Sequence, residues 1–235
     1  MIHVVTEENG RLYEAEFAAL RNLTEGLARA ALRLEPGSVH LLALDGGGAP
    51  EFACRFRPTD LGGRIPDALA HMVAAGPASI RAAEVWERTR IYAAPHICGP
   101  DPVQRRRCGE LRLAVLEEAA ERGVRRIVEL VPCSGLVETL RSGWRARLLG
   151  LPAAVDGVAM VAVEVDASAE AAAELRERLA CGPSRRLRLK AGDARWSAPP
   201  KEIETFLEAA QQLGPGQLEP LLVALRAAVE DDQES

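Results

Sequence analysis

The stretch Glu84-Val-Trp-Glu-Arg-Thr-Arg-Ile-Tyr-Ala-Ala-Pro95 constrains the fold of this chain more than any other. Val85, Glu87, Thr89 and Ile91 alternate with Trp86, Arg88, Arg90 and Tyr92. Successive side chains of a strand point to opposite faces, so the two sets lie on opposite sides. β-branched and aromatic residues dominate, and a proline closes the run, which predicts a strand over 84–94. Yet a glutamate and two arginines stand in its middle. A carboxylate inside a central strand is costly unless it is paired or used. Two readings stay open here: an edge strand with a solvated charged face, or a strand whose charges do chemistry.

The surrounding pattern is mixed α/β. Ile2–Thr6 reads as a first strand. Apolar residues then recur at helical spacing from Leu12 to Leu34, as one helix or as two with a break near Asn22–Thr24. Pro36-Gly37 ends that segment. Val39–Asp45 and Glu51–Arg57 flank Gly46-Gly-Gly48 as an antiparallel hairpin. A short helix is predicted over Ile65–Val73 and a long one over Val103–Arg122, stopped by Gly123. Arg125–Val131 reads as a buried strand. Ser134 is placed to cap a helix over Leu136–Ser142, and a short strand follows near 146–149. Val158–Val165 is an apolar strand, and Asp166-Ala-Ser168 is placed to cap a helix over Ala169–Leu179. A sheet with helices on its faces is the natural closure. The texture changes after Gly182-Pro183. The expected organisation is a main domain over 1–183 and a helical C-terminal extension over 184–235, suited to packing on the domain, dimerisation or partner binding.

Composition excludes several classes. The chain has 235 residues and a formal charge of −5, which argues against a general nucleic-acid binder. Hydrophobic residues make up 48% but aromatics only 4%, so Leu, Val and Ala must build the core. The five cysteines include no C-x-x-C pair, which suits free thiols in a reducing compartment. His96 and Cys98 are the only close His/Cys pair, too few ligands for zinc. No apolar run reaches the ~18 residues of a membrane span, and the N-terminus lacks a secretory pattern. A cytoplasmic protein is expected.

Several blocks together resemble the acyl-homoserine-lactone synthases, the autoinducer synthases of bacterial quorum sensing. Met1-Ile-His-Val-Val-Thr6, Arg55-Phe-Arg-Pro-Thr59, Trp86-Glu-Arg-Thr-Arg90, Arg141-Ser-Gly-Trp144, Leu149-Gly-x-Pro152 and Asp156-Gly157 stand in that family's order and approximate spacing. The likeness spans about residues 1–166. It implies a GNAT-like three-layer α-β-α sandwich whose twisted mixed sheet splays to admit a pantetheine arm. It also implies an acyltransferase that moves an acyl group from acyl-carrier protein or acyl-CoA to the amine of S-adenosylmethionine. Lactone closure then releases methylthioadenosine, with no bound cofactor or metal.

The resemblance assigns roles to particular residues. Glu87 orients the amine or relays its proton. Arg55 and Arg90 hold a substrate anion or pair with Glu87. Trp86, Thr89, Glu35, Glu129, Val131 and Trp144 fall to the substrate pockets. Arg105, Arg106, Arg107 and Gly109 fall to the phosphopantetheine or to an acidic carrier protein, through a partial Arg106-x-x-Gly109-x-Leu111 match to a phosphate loop. Departures are equally specific. The segment 21–37 is shorter than in the family and carries no tryptophan. Leu23 and Leu27 stand where an arginine and a phenylalanine are expected, and only Glu35 stands near two expected aspartates. Glu129 replaces an apolar residue or threonine of the acyl pocket, where it would shorten the tunnel, bind a polar acyl group or face solvent. Two alternatives therefore accompany the synthase reading: a transferase with another amine acceptor, and a catalytically silent relative that binds and regulates.

Overall fold

The computed structural model describes residues 1–97 and 101–190. β1 (Ile2–Val5) leads into α1 (Glu14–Leu23) and the short α2 (Gly26–Ala30). β2 (Val39–Leu44) and β3 (Pro50–Pro58) form the expected hairpin, and β4 (Val85–Ala93) follows. Next come α3 (Pro102–Glu121), β5 (Arg126–Pro132), α4 (Leu136–Arg141) and β6 (Ala146–Leu148). β7 (Ala153–Val155), β8 (Val158–Asp166), α5 (Ala169–Leu179) and β9 (Arg186–Leu187) complete the described part. The strands make one mixed sheet in the order β6-β8-β5-β4-β3-β2-β1-β9, with β7 on β8. β4 is thus central, between β3 and β5, and the edge-strand reading fails. Among the described residues no helix is long and apolar enough to cross a membrane.

Two faces of the sheet carry two cores. Tyr13, Phe17 and Leu20 at the start and along α1 pack on Leu42, Leu44, Ala53 and Ile91. On the other face Leu111, Val115 and Leu175 of α3 and α5 pack on Leu41, Phe56, Ile127 and Val165. Trimming one such fully buried leucine to alanine typically costs about 3 kcal/mol.

Local departures from the expected elements have local causes. Helix 12–34 breaks at Thr24, which is extended and donates its hydroxyl to Leu20 O at 2.7 Å. The helix expected over 65–73 is instead a wide turn over Arg64–Ala68, closed by Leu69 N donating to Arg64 O, and then a tight turn over Ala70–Met72. Ser134 does not cap α4. It lies inside a tight turn, Cys133–Gly135, which runs straight into the helix and leaves Gly135 at the cap position. Ser168 does cap α5, accepting from Ala171 N at 3.2 Å. β7 was not expected. It forms a hairpin with β8 around Asp156 and Gly157, both at positive φ (49° and 78°), the geometry of a two-residue hairpin turn.

The basic stretch after Pro183 also takes part in the sheet. Arg186 and Leu187 pair with β1 in parallel, so the compact unit extends past the expected boundary at 183. The arginines there answer buried acids on α3. Arg186 reaches Glu118 at 3.1 Å, and Ser184 N donates to Glu117 at 2.9 Å. The helices expected beyond 201 lie outside the described residues.

The pivotal feature is the β4–β5 pair. Their parallel ladder runs from Val85↔Arg126 to Arg88↔Glu129 and stops. β4 continues beside β3 to Ala93, and β5 continues beside β8 to Pro132. The two strands therefore diverge after Arg88 and Glu129. A bulge at Ile91, opposite Ala53 and Cys54, follows three residues further along β4.

Candidate active site

Glu87 sits on β4 one residue before the divergence and is only 7% exposed. Its Oε2 accepts from Ile65 N at 2.9 Å, at the mouth of the 64–68 turn. The chain must approach closely to offer that donor. A Cβ on Gly63 would lie 2.5 Å from Glu87 Oε2, so any other residue there would push the carboxylate out of this position. Burial raises the Glu87 pKa above the ordinary carboxylate value. The backbone donors at Ile65 and Arg64, and the charges of Arg55 and Arg64, oppose that rise without cancelling it. Thr59 holds the frame. Its buried hydroxyl lies 2.6 Å from Ile80 O and 2.7 Å from Val85 O, and so ties the end of β3 to the start of β4.

On the Glu87 side of the splay lies a cleft of about 410 Å³. Glu87, Thr89, Arg55, Arg64 and Glu35 line it, and Ala28, Ala30 and Ala31 form its wall. Glu35 is already engaged, with Arg57 at 2.8 Å and Arg55 at 3.6 Å. The wall is anchored from below by His40, whose Nε2 lies 2.8 Å from Ala31 O. Burial pushes the His40 pKa down to about 4, so the ring is neutral at physiological pH and Nε2 carries the donated proton.

On the opposite side lies a second cleft, of about 590 Å³. Glu129, Val131, Trp144, Arg105, Cys108 and Arg112 help to line it. Glu129 pairs with Arg88, Oε2 to Nε at 2.7 Å, and the two side chains are 6% and 10% exposed. The Arg88 guanidinium lies 4.8 Å from the Trp144 ring centroid, within cation–π range. Both clefts share Arg88, Arg90, Leu130 and Pro132. They meet where β4 and β5 part. A larger open groove of about 990 Å³ over residues 7–36 adjoins the Glu87 cleft through Ala30, Arg33 and Glu35 but contains neither Glu87 nor Arg88.

Most of the sequence-predicted residues converge on this junction, and some do not. Glu87, Arg90, Arg55, Thr89 and Glu35 line the Glu87 cleft; Arg90, Glu129, Val131, Trp144 and Arg105 line the Trp144 cleft. Trp86 lines neither. Its Nε1 donates to Ala83 O at 2.9 Å while the ring packs on the α3-side core. The phosphate-loop match also falls elsewhere than expected. Gly109 lies inside α3 rather than at its start, facing Leu179 of α5, and helical N–H groups there are spent on carbonyls four residues back. The true N-terminus of α3 is capped by Asp101, which accepts from Val103 N at 2.8 Å. Arg106 pairs with Glu110 and Arg107 with Glu51. Sequence reasoning missed Arg64, Arg112 and the Ile65 N–H. The first two sit among many arginines, and a backbone donor leaves no residue signature. Among the described residues no group of acids, histidines or cysteines is arranged to hold a metal.

This is the GNAT-like α-β-α fold, a splayed mixed sheet with helices on both faces, as carried by acyl-homoserine lactone synthases. No protein-family model and no curated protein sequence matches the chain. Among solved structures, the CoA-dependent acyl-homoserine lactone synthase BjaI, determined with SAM and isopentyl-CoA, aligns with TM-score 0.61 at 20% identity. The alignment covers 84% of this chain and 96% of BjaI. MesI, another CoA-dependent synthase of that kind, aligns with TM-score 0.60 at 22% identity over 79% of this chain and 98% of its own. Apo TofI aligns with TM-score 0.57 at 22% identity over 78% and 98%. At these identities the likeness is one of fold.

Proposed function

We propose that the chain is an acyltransferase of the acyl-homoserine-lactone synthase type. It moves an acyl group from acyl-CoA or acyl-carrier protein to the amine of S-adenosylmethionine in the cytoplasm. The observation that carries this reading is the meeting of two clefts at the β4–β5 divergence, with a buried, pKa-raised Glu87 on one side. A thioester in the Trp144 cleft would present its carbonyl at the gap. The acceptor amine, beside Glu87, attacks that carbon. The C–N bond forms, the C–S bond breaks, the amine proton passes to Glu87 directly or through one water, and the departing thiolate takes that proton back and leaves as the thiol. The acceptor carboxylate then displaces methylthioadenosine to close the lactone. Arg55, Arg64 and Arg90 are placed to hold that carboxylate. Support comes also from BjaI, which has the same fold and was determined with SAM and isopentyl-CoA.

Roles follow for the remaining residues. Thr89 and Glu35 belong to the acceptor side, with Glu35 setting the Arg55 geometry. Glu129, Val131 and Trp144 belong to the acyl side. Arg105 is the member of the 105–107 run that reaches the donor cleft; Arg106, Arg107 and Gly109 serve a carrier protein or helix packing. The segment beyond the compact unit is assigned to self-association or partner contact.

One observation favours a second reading, a transferase with a smaller amine acceptor. The described lining of the Glu87 cleft contains no aromatic side chain to stack on an adenine, and alanines stand in its wall. A single assay separates the two. Purified protein is incubated with S-adenosylmethionine and a panel of acyl-CoA and acyl-carrier-protein donors, and products are read by mass spectrometry. Lactone and methylthioadenosine that vanish in Glu87→Gln establish the synthase reading. Donor turnover only with other amines moves the acceptor. No turnover with any amine defeats both.

A further inference from the structure

The Trp144 cleft is charged where an acyl pocket for plain alkyl chains would be apolar. Its floor is the Arg88–Glu129 pair, with Trp144 itself only 4% exposed. Arg112 of α3 also approaches that ring, its guanidinium 5.5 Å from the centroid. Two guanidiniums thus gather at one indole, and one carboxylate answers them. Among the described residues Arg112 forms no salt bridge. The Trp144 Nε1 is buried without a hydrogen-bond partner there. Arg90, Arg105 and Glu138 line the same cleft, so its four arginines outnumber its two glutamates, and an anionic group on the occupant complements the excess. An alkyl chain would instead cover the ion pair and Arg112 while offering them nothing, which costs desolvation without return.

We infer that the donor's acyl group carries a carboxylate at its far end, read by Arg112 and the Arg88 guanidinium beside Trp144. The inference rests on the acyltransferase reading for the identity of the cleft, and it names the acyl class that reading leaves open. Phosphates of the donor are a separate matter. α3 starts at Pro102 and a helix advances about 1.5 Å per residue, so Arg112 lies roughly 15 Å along it from that end.

The test is a matched donor series that differs only at the chain end. Glutaryl-CoA, 5-hydroxypentanoyl-CoA and pentanoyl-CoA are titrated against the full-length protein without any acceptor. The shared CoA cancels from the ratios. The expected order is glutaryl tightest, hydroxypentanoyl next and pentanoyl weakest, with about tenfold between the ends, a typical yield of one charge-assisted contact. Arg112→Gln should pull the glutaryl-to-pentanoyl ratio towards one. Equal or tighter binding of pentanoyl-CoA, a hydroxypentanoyl optimum, an unchanged ratio in Arg112→Gln, or no binding of any donor overturns the inference. Because no acceptor is present, a failure to acylate S-adenosylmethionine defeats the proposed function without deciding this ratio.

Discussion

Glu87 and Arg88 are neighbours on one strand, yet they face opposite clefts and are stabilised in opposite ways. Glu87 opposes Arg57 and Val128 across the sheet, and its carboxylate is met by a backbone N–H at 2.9 Å. Arg88 opposes Glu129 directly, and the two close an ion pair at 2.7 Å. A backbone donor fixes the orientation of a carboxylate without cancelling its charge, so burial still raises the Glu87 pKa. A guanidinium partner consumes the charge instead. The first arrangement suits a group that must give and take protons. The second suits a floor that reads a ligand and stays in place.

The largest expected effect separates these two roles. Glu87→Gln keeps an oxygen for Ile65 N and removes the base, so turnover should fall about a hundredfold or more while the melting temperature hardly moves. Arg88→Met does the reverse. It strands the Glu129 carboxylate in a site where that side chain is 6% exposed, which should cost roughly 3 kcal/mol in a denaturant melt. Arg88→Met combined with Glu129→Leu should recover most of that loss. A stable Arg88→Met single variant would mean that water reaches the pair freely.

Gly63→Ala sharpens the Glu87 half. The new methyl group would crowd Oε2 at 2.5 Å and swing the carboxylate away from the gap. Turnover should drop about tenfold at nearly unchanged donor affinity, since small misplacements of a reacting group are expensive.

The effects of pH on stability are spread over a range of pH, and His40 and Glu87 differ in their sign. The folded pKa of His40 is depressed from 6.5 to about 4, so the unfolded chain binds more protons between those values. Stability is full above pH 6.5 and falls as pH drops towards 4, by roughly 3 kcal/mol in total. The folded pKa of Glu87 is raised above 4.5, so the native state binds the extra proton and stability declines as pH rises through that window. Denaturant melts of His40→Gln and Glu87→Gln against pH should each lose one of these opposing slopes.

Much of the Glu87 side was legible in the sequence, and less of the Trp144 side. The alternation around Glu87, the hairpin ending in Arg55-Phe-Arg-Pro-Thr59 and the capping of α5 by Ser168 are local patterns with local physics. The partner of Glu129 was not legible, because register between strands 40 residues apart depends on a crossover helix rather than on either strand's pattern. β9 was hidden for a related reason. It falls in the stretch expected as a helical extension, and the partners of its arginines, Glu117 and Glu118 of α3, lie far away in sequence. The partial phosphate-loop match misled because a glycine spacing does not say where a helix begins, and Asp101 sets that start. Trp86 reads as a site residue by adjacency to Glu87, but its own turn claims its N–H.

The central claim is that Glu87 serves chemistry across the gap between the two clefts. The most direct measurement is the single-turnover rate of acyl transfer at saturating donor and acceptor, for the parent protein and Glu87→Gln. The account predicts a loss of about a hundredfold or more with donor binding and melting temperature preserved. Rates within a few-fold of each other would contradict it and leave Glu87 as no more than a structural cap for the 64–68 turn.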